Sequence, residues 1–253
     1  MTLTYNGNQL KSVSDAVDQT TVVTTNDFVD KSDTEYPIEY LYDANGNQSA
    51  NLNKGIAWIR YNLLNLPQKV QFRNGTTNVY VYDASGVKHQ AKYRYSTSTS
   101  LIPLGETTTE NSLASSFQTD YCGNYVYQKS GTGNPILIRI LTPDGYISTY
   151  SGLISYLGYW NYTYFLKDHL GNTHVNITSD YLSKNTSKTY AASNLIDYFP
   201  FGLERSNTGQ SSGGPFDSGT NPYLYNGKEI DRMNGLNEND YGGRWYDPAI
   251  GGW

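Results

Sequence analysis

One short pattern recurs between Tyr40 and Tyr95, and it restricts the fold more than any other feature of the chain. The stretch opens Y-L-Y-D-A-N-G-N-Q, passes through Y-N-L-L-N-L-P-Q-K-V and ends Y-V-Y-D-A-S-G-V-K-H-Q-A-K-Y-R-Y. Tyr42-Asp43, Tyr61-Asn62 and Tyr82-Asp83 are spaced by 19 and 21 residues, and Asp43-Ala44-Asn45-Gly46 is echoed by Asp83-Ala84-Ser85-Gly86. A period of about 20 residues marks an array of like units. Within a unit, tyrosines two apart (Tyr40 and Tyr42, Tyr80 and Tyr82, Tyr93 and Tyr95) keep the period of a β-strand with its rings on one face. Asp bonds its own backbone two residues on, and Gly takes positive φ without a Cβ clash, so each Asp-x-x-Gly is a tight turn. The unit is a hairpin. A lone hairpin is marginal in water, so the units must associate to bury their faces.

The composition suits such an array. Tyr supplies 25 residues and Gly 24, and only 37% of the chain is hydrophobic with Tyr included. A ring with a polar tip belongs on a surface that is half buried and half wet, which points to a thin sheet beside a wet cavity. A tyrosine-rich β-sandwich is the alternative. The formal charge is -5, with no run of basic residues, so a nucleic-acid partner is not expected. No stretch of about 18 apolar residues offers a membrane span, and the start M-T-L-T-Y-N-G-N-Q-L-K has no apolar core of a signal peptide. Cys122 is the only cysteine, which rules out an intramolecular disulfide and a cysteine-based zinc site and leaves it the role of a small buried hydrophobe.

Taken in order, the chain enters the array at once. Tyr5-Asn6-Gly7-Asn8 reads as a repeat turn with no polar cap before it, which suggests the tail of a longer protein. Asp15 to Thr34 reads as a return strand and a connection. After Tyr95 the pattern breaks, and the Ser/Thr-rich run to Ser116 suggests a loop or an edge strand under little packing constraint. Strands resume at D-Y-C-G-N-Y-V-Y and I-L-I-R-I-L-T-P-D-G-Y-I, where Pro143-Asp144-Gly145 is a turn. Tyr162 and Tyr164, then Val175 and Ile177, alternate on either side of an Asp168-to-Asn172 turn. The Gly/Ser-rich loop Ser206 to Thr220 reads as mobile.

Several of these segments resemble a known family. Tyr42-Asp43 with Gly46 and Asn47, Tyr61-Asn62 with Leu66 and Pro67, and Tyr82-Asp83 with Gly86 resemble the YD repeat of RHS proteins. Four later segments resemble, in order and spacing, the RHS repeat-associated core domain: Asp168-His169-Leu170-Gly171-Asn172; Asp197-Tyr198-Phe199-Pro200-Phe201-Gly202; Tyr225-Asn226-Gly227-Lys228-Glu229; and Tyr241 to Ile250, with Gly242, Arg244, Tyr246, Asp247 and Pro248, then Gly251. The resemblance implies an all-β spiral of antiparallel hairpins that closes as a hollow shell. It implies a YD-repeat array over 1–100, further shell strands over 101–160 and a truncated core domain over 161–253. The implied role is structural: a shell, secreted or at the cell surface as part of a longer protein, that encapsulates a C-terminal toxin used in competition between bacteria. The implied partners are the rest of that shell and a toxin cargo outside this chain.

Candidate chemistry is sparse. In many family members the core domain is an aspartic autoprotease, which needs two carboxylates to activate a water. Asp247 stands in the Tyr-Asp-Pro motif, with Arg244 before it as an expected bidentate partner. Gly252, however, occupies the place where the family has Arg, and the downstream Asp-Pro segment is absent from this sequence. The expectation is a chain with no catalysis of its own. His169 and His174 could meet across a hairpin beside Asp168, yet a metal site needs three or four ligands, so turn packing is expected and neither metal nor cofactor. His89 has no evident partner. No G-x-S-x-G elbow or phosphate loop occurs. Exposed tyrosines could instead stack on sugar rings, so one alternative function is a secreted or cell-surface carbohydrate-binding module; the other, implied by the resemblance, is a remnant of an aspartic autoprotease that lacks its downstream Asp.

Overall fold

The computed structural model describes residues 1–15, 28–31, 36–97, 100–108, 113–149, 160–180, 189–205 and 221–253. The Ser206–Thr220 loop and most of the Asp15–Thr34 stretch lie outside the described residues. No α-helix occurs among those described. A hairpin of β1 (Thr2–Asn6) and β2 (Gln9–Ser14) precedes one antiparallel sheet of 13 strands. These are β3 (Tyr40–Tyr42), β4 (Gln48–Asn51), β5 (Ile56–Tyr61), β6 (Pro67–Phe72), β7 (Thr77–Tyr82), β8 (Lys88–Ser96), β9 (Leu113–Cys122), β10 (Tyr125–Ser130), β11 (Ile136–Thr142), β12 (Gly145–Thr149), β13 (Trp160–Lys167), β14 (Thr173–Asp180) and β15 (Thr189–Leu195). Every strand pairs with its neighbours in sequence, so the repeats join edge to edge as one meander that runs through all three stretches distinguished in the sequence.

The repeat has a single local geometry. In the turn after β3, Asp43 N–H donates to Asn47 O at 2.9 Å and Gly46 N–H to Asp43 O at 3.1 Å. The Asp43 carboxylate accepts from the amides of Asn45 and Asn47, each at 2.9 Å. The same bonds recur at Asp83, with Ser85 and Val87 at 2.8 and 3.0 Å, and at Asp168, with Leu170 and Asn172 at 2.9 Å each. At Asn62 the side-chain carbonyl takes over, accepting from Leu64 and Leu66 at 2.9 and 3.0 Å. The left-handed residue is Gly46, Gly86 and Gly171 at φ near 85°, and Asn65 at 57° in the remaining turn, one of the few residues that tolerates that region. A register shift falls beside each turn, at Tyr42, Tyr61, Tyr82 and Lys167, a bulge that adds local twist.

Two sequence expectations change here. The run after Tyr95 is held against the sheet: Ile102 is buried, its amide bonds Arg73 O at 2.7 Å, and Gly105 N–H bonds Ala57 O at 2.8 Å. Its far end forms β9, which pairs with both β8 and β10. Ser and Thr gave no apolar alternation there, and long-range pairing supplies the order instead. Cys122 is exposed rather than buried, because it ends β9 at the Gly123 turn.

The rest of the chain returns to the sheet. After β15 come β16 (Asp197–Tyr198) paired with β17 (Glu204–Arg205), and a small sheet of β18 (Glu229–Asp231), β19 (Glu238–Asp240) and β20 (Trp245–Tyr246). The main core lies between that small sheet and β5–β9, with Ile56, Val70, Phe72, Tyr80, Tyr93 and Phe117 on one side and Leu236 and Trp245 on the other. Tyr80 and Tyr93 therefore bury their rings against the C-terminal segment, while Tyr40 packs with Leu10 and Val13 of β2.

A candidate seat for the C-terminal segment

The apolar contact alone would let the C-terminal segment slide, and three buried polar clasps fix its register. In the first, Tyr80 and Tyr93 donate their hydroxyls to one oxygen of Asp231 at 2.7 and 3.0 Å, and the Met233 amide donates to the other at 2.9 Å. Beside it Asn78 donates to Met233 O at 3.2 Å and accepts from the Asn234 amide. Burial pushes the Asp231 carboxyl up to about 6, against the Tyr80 hydrogen bond and the Lys88 charge, which both favour the ion. Burial, then the charge of Asp231, hold both tyrosine hydroxyls well above their ordinary range, so they remain donors.

In the second clasp Lys88, buried on β8, reaches Glu229 at 2.9 Å and Asp240 at 2.8 Å and lies over the rings of Tyr121 and Trp245. Tyr121 donates to the other Glu229 oxygen at 2.8 Å. Burial works to neutralise the ammonium, but Glu229 and Asp240 outweigh it and keep it charged. The alternation of β18 explains the layout. Glu229 and Asp231 face the sheet, while Ile230 turns to a second cluster with Ile196 and Leu224.

In the third, Lys54 bonds Leu236 O at 2.6 Å and lies 3.1 Å from Asp247 and 3.8 Å from Glu238. Burial raises Glu238 to about 7, with Lys54 opposing and Asp247 and Asp231 reinforcing. Asp247 thus has Lys54 as its ion partner in place of Arg244, whose guanidinium stacks 4.5 Å over the Trp253 ring. Asp247 also caps its own turn through the Ala249 amide at 3.0 Å, and its backbone bridges Gly252, around Pro248.

The four core-like segments meet at one end of this seat. Asn172 accepts the Asn226 amide at 2.8 Å, docking the Asp168–Asn172 turn on the Asn226-Gly227 turn. Tyr198 donates to Thr173 O at 2.6 Å and packs on Tyr225, which stacks on Tyr246. Tyr246 donates to Phe201 O at 2.9 Å, Tyr241 to Asn226 at 2.6 Å, and Lys228 lies over the Tyr241 ring. Pro200 opens the turn that carries Phe201 and Gly202, after the β16 residues Asp197 and Tyr198. A Cβ on Gly202 would fall 2.4 Å from the Tyr225 ring, and one on Gly251 would fall 3.0 Å from Phe201. Gly242 accepts its role in the β19–β20 turn by donating to Asp240 at 2.7 Å.

The histidines divide. His174 lies 3.3 Å from Asp168 and its other ring nitrogen 3.0 Å from Ile196 O, while His169 is exposed at the turn. His89, expected to stand alone, sits 3.1 Å from Asp83, six residues before it, as His174 does from Asp168. The repeated D-x-x-x-x-x-H spacing was the sequence signal for this contact. Asp231, Lys54, Lys88 and Glu238 carried no such signal, since each partner lies far away in sequence.

No family profile and no curated protein matches the chain. Solved structures do. The crystal structure of TcdB2-TccC3 matches over 83% of this chain and 9% of that one, with a TM-score of 0.55 at 16% identity. The same complex without its hypervariable C-terminal region matches over 88% and 10%, with a TM-score of 0.54 at 16% identity. A Photorhabdus luminescens Tc holotoxin pore carrying a TccC3 mutation matches over 83% and 9%, with a TM-score of 0.56 at 16% identity. At such identity the likeness is one of fold, and the chain spans about a tenth of those chains. The all-β meander is shared with part of these toxin structures, in agreement with the RHS-like architecture that the motifs resemble.

Proposed function

We propose that this chain is a section of the wall of a toxin-encapsulating shell, with its C-terminal segment seated on the inner face as a plug, and that it has no catalysis of its own. The observation that carries the reading is the seat. A segment returning from the end of the chain covers the tyrosine face of β5–β9 and is pinned there by Asp231, Lys88 and Lys54. The strand β1, which among the described strands pairs only with β2, supports continuation of the wall, because a strand at a sheet edge is a template for a further strand. In this reading the partners are the remainder of a longer shell and an enclosed toxin, and the site of action is outside the producing cell. In this reading the charged groups serve to hold the segment, Lys88 pairing with Glu229 and Asp240 and Lys54 with Asp247.

Hydrogen exchange read with intact mass tests both halves of the proposal. The amides of 229–246 exchange as slowly as those of β5–β9 if the segment is part of the wall. Exchange as fast as in free peptide refutes the plug. The mass stays at 28.3 kDa through incubation from pH 4 to pH 8, and a fragment appearing in that range refutes the non-catalytic role.

A further inference from the structure

The face that the C-terminal segment turns to the sheet carries two like pairs of acids, and they are neutralised differently. In the register of β18 and β19, Glu229 lies directly across from Asp240, and Asp231 directly across from Glu238. Ile230 and Asn239, between them, turn the other way. Acids opposite one another on neighbouring strands repel, and the repulsion grows where water is excluded. The first pair receives an ammonium group: Lys88 lies 2.9 Å from Glu229 and 2.8 Å from Asp240. Among the described residues no cation bridges the second pair. Lys54 approaches Glu238 to 3.8 Å, but it lies nearer to Asp247, at 3.1 Å, and bonds Leu236 O at 2.6 Å. Lys88 acts on Asp231 through space, its ammonium being committed to Glu229 and Asp240.

The surroundings of the second pair supply a proton's place instead. Asp231 is buried, and the Glu238 side chain is 15% exposed. Facing Asp231 are Tyr80 on β7 and Tyr93 on β8, whose hydroxyls donate to it, with Lys88 attracting its charge and Glu229 repelling it. The hydroxyls of Tyr82, Tyr95 and Tyr121 also lie within its field. Facing Glu238 are Lys54, which favours its ion, Asp247 and Asp231, which oppose it, and the hydroxyl of Tyr61 on β5. Burial outweighs each of these and raises both carboxyls above their ordinary range. Two carboxyls so placed titrate as a unit, the second ionising against the charge of the first. A raised carboxyl holds its proton more tightly in the fold than in the unfolded chain. Its stabilisation is therefore complete at acidic pH and is lost as pH rises through the folded value.

We propose that Asp231 and Glu238 form a proton-operated latch: the seated segment holds a proton on this pair, in the role that Lys88 fills in the neighbouring pair, and its loss to solvent as pH rises loosens β18 and β19 from the wall. The latch rests on the reading of this segment as a plug and adds its control, tight in an acidic medium and loose above neutrality. Hydrogen exchange of the full chain at pH 5 and pH 8 tests it, each amide being compared with its free-peptide rate at the same pH so that base catalysis of exchange cancels. Strands β11–β13, away from the pair, serve as the reference. The protection of 229–240 relative to that reference falls at least about tenfold from pH 5 to pH 8. Glu238→Gln, which fixes half of the pair in a neutral form, matches wild type at pH 5 and stays at least about tenfold better protected at pH 8. Asp240→Asn, in the pair that Lys88 neutralises, keeps the wild-type pH response. Histidines also titrate near neutral pH, but wild type and variants share all of them, so they drop out of the comparison. Equal protection at both pH values overturns the latch and leaves the plug standing. So does a Glu238→Gln chain that loosens at pH 8 as wild type does, or an Asp240→Asn chain that loses the response. A segment already unprotected at pH 5 overturns plug and latch together.

Discussion

Replacing Asp231 by Asn separates the two things its carboxylate does, accepting hydrogen bonds and carrying a buried charge. One carboxylate oxygen accepts from Tyr80 and Tyr93, the other from the Met233 amide. An amide has a single acceptor, so Asn leaves either the two hydroxyls or the backbone N–H facing a donor, at a cost of about 1–3 kcal/mol. The charge works in the other direction. The carboxyl titrates near 3.8 in the unfolded chain and is raised to about 6 in the fold by burial. A raised carboxyl gives stability that is fully present below the unfolded value and lost as pH rises through the folded one, so the native protein weakens between pH 4.5 and pH 7.5. For these two values the loss is about 2 kcal/mol, which the Asn variant does not suffer. The expected pattern in urea unfolding is therefore a variant clearly weaker than wild type at pH 4.5, with the gap narrowing by about 2 kcal/mol at pH 7.5. Because both proteins share every other titrating group, the difference isolates Asp231. A gap independent of pH, or one that widens as pH rises, refutes the argument that the clasp holds a desolvated carboxyl.

Three further outcomes are expected. Lys88→Met leaves Glu229 and Asp240 facing each other without a cation, and a loss of about 3–5 kcal/mol in denaturant unfolding is anticipated; a neutral result would show that the pair is solvated. Gly202→Ala places a Cβ against the Tyr225 ring at φ +86°, lowering stability by about 2 kcal/mol or more and melting Tyr246 and Trp253 out of their aromatic cluster, which tyrosine and tryptophan fluorescence reports. Asp83→Asn preserves the melting temperature whereas Asp83→Ala lowers it, because Asn62 already performs the same turn chemistry with an amide; equal loss in both would assign the effect to the Asp83–His89 pair.

What could be read from the sequence was whatever the chain does locally. A turn such as Asp83 to Gly86 closes within five residues, and its Asp and Gly are both required by that closure, so the array was visible without a structure. The four core-like segments were visible as motifs, but their meeting was not: Asn172 finds Asn226 across 54 residues. The seat is further still from view. Tyr93 reaches Asp231 over 138 residues and Lys54 reaches Leu236 over 182. Nothing about an isolated E-I-D or E-N-D segment distinguishes a buried acid from a solvated one, so Asp231 and Glu238 were not singled out and Asp247 was matched to Arg244, its neighbour in sequence, instead of to Lys54. The first part of β9, read as a loop or an edge strand, was left open for a related reason. Its Ser/Thr-rich side chains state no preference, and the order comes from β8 and β10 on either side.

The unbroken succession of strands from β3 to β15 has a consequence in time. Each strand finds its partner in the segment just made, so the loops to be closed are short and the sheet can grow hairpin by hairpin as the chain leaves the ribosome. The clasps cannot form that way, since Asp231, Glu238 and Asp247 are synthesised after every strand they bind. Until then the row of Tyr80, Tyr93 and Phe117 stands open on the growing sheet, and its first permanent cover arrives last. Wall before closure is the order the connectivity imposes, and the interval between the two is when this protein is most exposed to aggregation.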